Sequence, residues 1–144
     1  MKNIITSTIL LFVLVSCNVK PQDISYGEQS CQFCRMTIVD RQHAAQFVND
    51  KGKAFNFDAA ECMINYLQEI DKESIGLLLV SDYNAPETLI DVNHATFIIS
   101  EEIPSPMGAN LSAVAKSEEA NALLKNKTGQ IYTWKELLNH LNDL

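Results

Sequence analysis

The sequence predicts an α+β fold built from two small, related units that share one core. Three observations carry this. Short apolar runs bounded by turn residues recur along the chain, and helix-start signatures follow some of them. Two pairs of segments also echo one another: Gly52-Lys-Ala-Phe-Asn-Phe57 with Gly129-Gln-Ile-Tyr-Thr-Trp134, and more loosely His43-Ala-Ala-Gln-Phe47 with His94-Ala-Thr-Phe97. In each half a glycine turn, a short aromatic strand and a capped helix follow in order, which suggests duplication rather than a solenoid.

At the N-terminus Met1-Lys2 precedes an apolar run from Ile4 to Val15. This is too short to span a bilayer as a mature helix, but it suits the apolar region of a signal peptide. The run ends in Leu14-Val15-Ser16-Cys17, a lipobox in which Cys17 is expected to carry diacylglycerol and become the first residue after cleavage. Residues 1–16 are therefore read as a lipoprotein signal peptide. Residues 17–30 are polar, with Pro21 and Gly27, and read as a tether. Residues 31–144 form the domain, with approximate repeats 31–92 and 93–144.

Within the domain, Cys34–Asp40 is expected as extended chain, with Thr37–Val39 and Ala44–Val48 as strands. Asn49-Asp50-Lys51-Gly52 supplies a turn before a strand at Lys53–Phe57. Asp58 with Glu61 three residues on resembles a capping box opening a helix to Ile70, with Ala59, Met63, Tyr66 and Ile70 on its core face. Gly76–Ser81 suits a buried strand, Asn84-Ala85-Pro86 a turn, Thr88–Val92 extended chain and His94–Ser100 a further strand. Pro104-Ser-Pro-Met107-Gly108 cannot be regular structure, and it displays a methionine on a loop. Ser117 is expected to cap a helix to Lys127 with Leu123 and Leu124 inward; Gly129–Tyr132 is a last strand, and Thr133 with Glu136 caps a terminal helix, Trp134–Leu141.

The formal charge of −7 becomes −8 once Lys2 leaves with the signal peptide. Such acidity argues against nucleic acid and against a polybasic membrane patch, leaving lipid alone to hold the chain at a membrane. With Cys17 acylated, Cys31, Cys34 and Cys62 remain, an odd number for an extracytoplasmic disulfide framework. Either a Cys31–Cys34 bridge leaves one thiol free, or a bound soft metal keeps all three reduced.

The chemistry concentrates at Cys31-Gln-Phe-Cys34-Arg-Met36, two thiols and a thioether within six positions. A C-x-x-C pair by itself also suits a disulfide, half a zinc knuckle or a redox dithiol. Met36 discriminates: polarizable sulfur donors favour Cu(I), whereas a structural zinc site draws on Cys and His. On a strand, Cys34, Met36 and Ile38 would share one face, with Cys31 folding in from the preceding loop. Cys62 lies in the first turns of its helix, where unpaired amides favour a thiolate, although a small buried hydrophobe is an equal reading.

Beyond Cys31-Gln-Phe-Cys34-Arg-Met36-Thr-Ile, the chain carries Phe57-Asp58 leading to Glu61-Cys62-Met63, then Val80-Ser-Asp82-Tyr83, Ile90-Asp91, Ala95 and Pro106-Met107-Gly108. In this order the residues resemble the NosL family, the nitrous oxide reductase accessory lipoproteins. The resemblance implies two ββαβ-type units and a lipid-anchored, extracytoplasmic Cu(I)-binding chaperone, not an enzyme. It also implies that copper is delivered to nitrous oxide reductase through a membrane complex for copper transfer. The expected ligands are then Cys34 and Met36 at the centre, Cys31 and Met107 completing the set, and Cys62 in reserve; His43 and His94 are possible nitrogen donors. Many members have glycine where this chain has Arg35.

Two other functions compete. A thiol–disulfide oxidoreductase would use Cys31 to attack and Cys34 to resolve, but such dithiols favour a helix N-terminus and strand-like residues follow here. A structural zinc module would lack a second Cys or His pair. No Ser-His-Asp arrangement or paired carboxylate site is visible along the chain.

Overall fold

The computed structural model describes residues 18–142. The expected signal peptide and lipobox, with Cys17, lie outside the described residues. The architecture is α+β with two antiparallel sheets, as expected. The first sheet contains β1 (Ala45–Asn49), β2 (Ala54–Phe57), β3 (Ile75–Asp82) and β4 (Ala85–Asp91) in the order β2-β1-β3-β4. The second contains β5 (Thr96–Ile99), β6 (Leu111–Val114) and β7 (Gln130–Tyr132) in the order β6-β5-β7. Helix α1 (Ala60–Leu67) follows β2, α2 (Ser117–Leu124) follows β6, and α3 (Trp134–Asn142) follows β7. Each unit is thus ββαβ with its first strand in the centre, extended by β4 in one and by α3 in the other.

The duplication holds in topology, but the sequence echo pairs one element wrongly. His43–Phe47 and His94–Phe97 do lead into the equivalent strands β1 and β5. The Gly52 and Gly129 segments instead enter β2 and β7, which occupy different places in their units. The true counterpart of β2 is β6, Leu-Ser-Ala-Val, a strand that the sequence analysis leaves unassigned because small residues hide its pattern.

β1 is covered on both faces. Phe47 stacks on its cross-strand partner Phe55 at 5.3 Å between centroids and meets Tyr66 of α1; such aromatic pairs add about 0.5–1.5 kcal/mol beyond their burial. On the other face Gln46 is wholly buried, so its amide must be satisfied. It accepts from the Gln22 N–H and donates to the Gln22 carbonyl and to Asn56 Oδ1, each at 2.8 Å.

The expected tether therefore does not run free to residue 30: from Gln22 onward the segment is fastened to the sheet, and Ile24 and Tyr26 pack against the core. Its polar composition conceals docking through hydrogen bonds. Gly76 permits a second close approach, because a Cβ there would lie 2.6 Å from Val19 and 2.8 Å from the Asn49 carbonyl.

One core joins the units. Phe47, Phe57, Met63 and Val80 from the first pack with Phe97, Leu111, Ala113 and Leu137 from the second. A smaller cluster of Ile98, Ile103, Val114 and Ala120 lies beneath α2, with Leu123 and Leu124 against it.

Helix starts differ in how far they follow the expected chemistry. The Thr133–Glu136 capping box forms, with the Thr133 N–H donating to Glu136 at 2.8 Å and the Glu136 N–H to Thr133 Oγ1 at 3.4 Å. Ser117 is not a cap, since Lys116 precedes α2 without a side-chain bond. Asp58 and Glu61 do not cap α1, which begins after Ala59 with no side-chain cap and ends at Leu67 rather than Ile70.

Candidate metal centre

Cys34–Asp40 is not a strand. Antiparallel backbone arms formed by residues 27–31 and 36–38 close a tight loop over Cys31–Met36: Gly27 N–H donates to Ile38, Ile38 N–H to Gln29, and Cys31 N–H to Met36, all at 2.8–2.9 Å. Only Ser30 and Thr37 make a bridge within this pair. The Arg35 N–H returns to the Cys31 carbonyl at 3.1 Å, and Arg35 takes the left-handed conformation, φ 68°, that turns the chain. Gln32 N–H donates to the Asn56 carbonyl at 2.9 Å, fixing the loop to β2. The period-two argument that placed Cys34 and Met36 on one face therefore fails, because a turn stands where the strand was expected.

This loop brings Cys31 and Cys34 to Cys62 in the first turn of α1. The three sulfurs all lie within 4.8 Å of one another, and none is in a disulfide. Cys31 and Cys62 are buried and Cys34 is partly exposed. Cys62, expected in reserve, is thus a full member of the cluster.

The cluster contains unlike thiols. Cys31 is held far below the ordinary thiol range, first by a hydrogen bond from the Cys62 thiol and then by the backbone amides of Asp58, Cys34 and Phe33. Cys62, donating that bond and buried, is pushed far up. Burial also raises Cys34. The three thiols are thus pushed in opposite directions, Cys31 down and Cys34 and Cys62 up, in a donor set that would give up protons to a soft cation.

The residues that resembled a capping box surround this centre. Asp58 is buried and its Oδ1 has no partner; its carboxyl is raised by burial and by the neighbouring Cys31 sulfur. Glu61 Oε1 accepts from Ser105 Oγ at 2.6 Å, and Glu61 Oε2 is buried without a partner.

Met36 and Met107 are 48% and 40% exposed, unusual for large apolar side chains; Met36 lies two residues after Cys34, and Met107 two residues after Ser105, which bonds to Glu61 beside Cys62. His43 is spoken for: Nδ1 meets Asp40 Oδ2 and Nε2 meets Ser112 Oγ, both at 3.0 Å. His94 is exposed in the turn before β5.

Asp40, His43 and Ser112 thus form a Ser-His-Asp arrangement that the chain order conceals, since Ser112 lies on the unassigned β6. Its hydroxyl is only 3% exposed in the core between the sheets, which makes the trio a tie between units rather than a nucleophile open to substrate.

The family model described as NosL matches residues 23–141. The fold also resembles the crystal structure of the copper chaperone NosL from Shewanella denitrificans, with a TM-score of 0.71 and 18% identity, covering 83% of this chain and 96% of that one. No curated relative matches at a significant level.

Proposed function

The chain belongs to the NosL family, and on that premise we propose that it is a Cu(I) chaperone, lipid-anchored outside the cytoplasm, that supplies copper for maturation of nitrous oxide reductase. One observation carries the copper reading: the sulfurs of Cys31, Cys34 and Cys62, drawn from a loop and a helix, converge within 4.8 Å. Trigonal sulfur coordination suits a soft monovalent ion, and it leaves zinc short of the four donors of a closed site. The chaperone named for the Shewanella structure agrees with this assignment.

Lipid attachment at Cys17 and delivery through a membrane complex to nitrous oxide reductase rest on the lipobox and on the family. No described helix is long and apolar enough to cross a membrane, so the anchor would be the acyl chains.

The protein's part is chemical and geometric. The lowered pKa of Cys31 makes it the thiol that would bond to copper at the least cost in proton release. Binding by Cys34 and Cys62 would release protons, coupling retention to pH. Met36, on the same loop, offers a weaker and more exposed donor suited to exchange.

Titration of the reduced chain with Cu(I) against a competing chelator tests this reading. Cys34→Ser and Met36→Leu are each expected to weaken binding by about tenfold or more. X-ray absorption showing only nitrogen and oxygen around the ion would exclude the assignment.

A second reading, thiol–disulfide exchange by Cys31 and Cys34, draws on the depressed thiol of Cys31. Complete burial of Cys31 opposes it, because the attacking thiolate must reach its substrate. Rapid exchange with a model disulfide by the metal-free chain would favour this alternative.

A further inference from the structure

Ser105 is the hub of the loop that carries Met107. Its hydroxyl donates to Glu61 Oε1 at 2.6 Å and accepts the Leu111 N–H at 3.3 Å, while its carbonyl accepts the Gly108 N–H at 3.1 Å. Pro104 and Pro106 stiffen the backbone on either side, and Gly108 and Asn110 turn it through left-handed conformations, φ 82° and 55°. Ser105 is buried at 8% exposure, whereas Met107, two residues on, is 40% exposed. The loop therefore has a fixed base and a projecting tip.

The base is fastened to one turn of one helix. Glu61 directly precedes Cys62, so the Glu61–Ser105 bond ties the Met107 loop to the turn that supplies a thiol to the metal centre. Two features set this bond apart from ordinary packing. Glu61 occupies a capping-box position, yet α1 has no side-chain cap. Its carboxylate is also buried with Oε2 unpartnered, an expensive acceptor where a neutral side chain would hold a loop with less desolvation.

We infer that Glu61 is a positioning residue of the metal centre: through Ser105 it holds the Met107 thioether as a further sulfur donor to the ion bound by the thiols. The inference rests on the copper reading above and adds to it how the loop donor is aimed. Glu61 itself makes no bond to the ion.

The test uses the full chain, reduced and metal-free in detergent, with Cu(I) competition titration and X-ray absorption as readouts. Ser105→Ala and Met107→Leu are each expected to lower Cu(I) affinity by roughly tenfold and to remove one sulfur from the coordination sphere. The double variant should be no weaker than Met107→Leu alone. Glu61→Gln, which keeps an acceptor for the Ser105 hydroxyl, should stay within about threefold of the parent, and Glu61→Ala should match Ser105→Ala.

Additive losses in the double variant, or an unchanged sulfur count in Ser105→Ala, would overturn the inference. Ser105→Ala is the gentler probe if Glu61→Ala does not fold. Failure of the copper reading is separate: Cys31→Ser and Cys62→Ser would then leave Cu(I) binding unaltered.

Discussion

The sulfurs of Cys31 and Cys62 lie within 4.8 Å of one another, so a thiol donor on the first turn of a helix stands against one on a loop thirty-one positions earlier and lowers its pKa. Removing the donor should release the acceptor. In Cys62→Ala the Cys31 thiol is expected to titrate at higher pH than in the parent, shown by thiolate absorbance in the ultraviolet. Unchanged titration would mean that the backbone amides alone hold the charge.

The same relationship makes stability depend on pH. Cys31 has a folded pKa of about 4 against an ordinary 9.0, so its stabilising contribution is complete above 9 and is lost as pH falls toward 4. The raised Asp58 acts with the opposite sign: its contribution is present below the ordinary 3.8 and disappears as pH rises through its folded value. Urea unfolding of the reduced, metal-free chain should therefore weaken from pH 8 to pH 5, and Cys31→Ser should flatten that slope. An equal slope in the variant would assign the effect to other groups.

Arg35 turns the metal loop at φ 68° with a side chain that disfavours this conformation. Arg35→Gly should stabilise the metal-free protein by roughly 0.5–1 kcal/mol, read as a higher Tm. A lower Tm would show that the arginine side chain itself supports the loop.

His43 joins the two sheets through Asp40 and Ser112. Replacing it with Phe leaves both partners short of a bond, at a cost of about 1–3 kcal/mol in chemical unfolding. Copper stoichiometry should not change, since both ring nitrogens are already engaged. Loss of one equivalent would instead make the imidazole a ligand.

Loading with Cu(I) should raise Tm and block alkylation of all three thiols together, since under the copper proposal one ion would span the loop and the helix. At a hundredfold excess over Kd the stabilisation is about 2.7 kcal/mol. Protection of Cys34 alone would reduce the site to a surface donor.

Much of this fold was legible because β1, β2, β3, β5 and α3 announce themselves by apolar runs, a glycine turn and a true capping box. What misled were residues with two possible uses. Asp58 and Glu61 have the spacing of a helix cap, but both side chains are buried instead, and only the fold reveals the Glu61–Ser105 contact and the place of Asp58 near Cys31. Thr37–Val39 has strand composition, yet the left-handed turn at Arg35 breaks the run before it. Ser112 and Ala113 are too small to signal a strand, so the His43 tie remained hidden. The sulfur residues were recognisable by type, whereas the place of Cys62 beside Cys31 depended on how α1 packs.

Exposure rises across the sulfurs, from Cys31 at 0% and Cys62 at 1%, through Cys34, to Met107 and Met36 at the solvent boundary. Under the copper proposal, an ion held by the three thiols would be reached first from the side of Cys34, the least buried of them. A recipient that displaced that donor first, and the buried ones after it, would take the cargo by successive ligand replacement without releasing the naked ion to water.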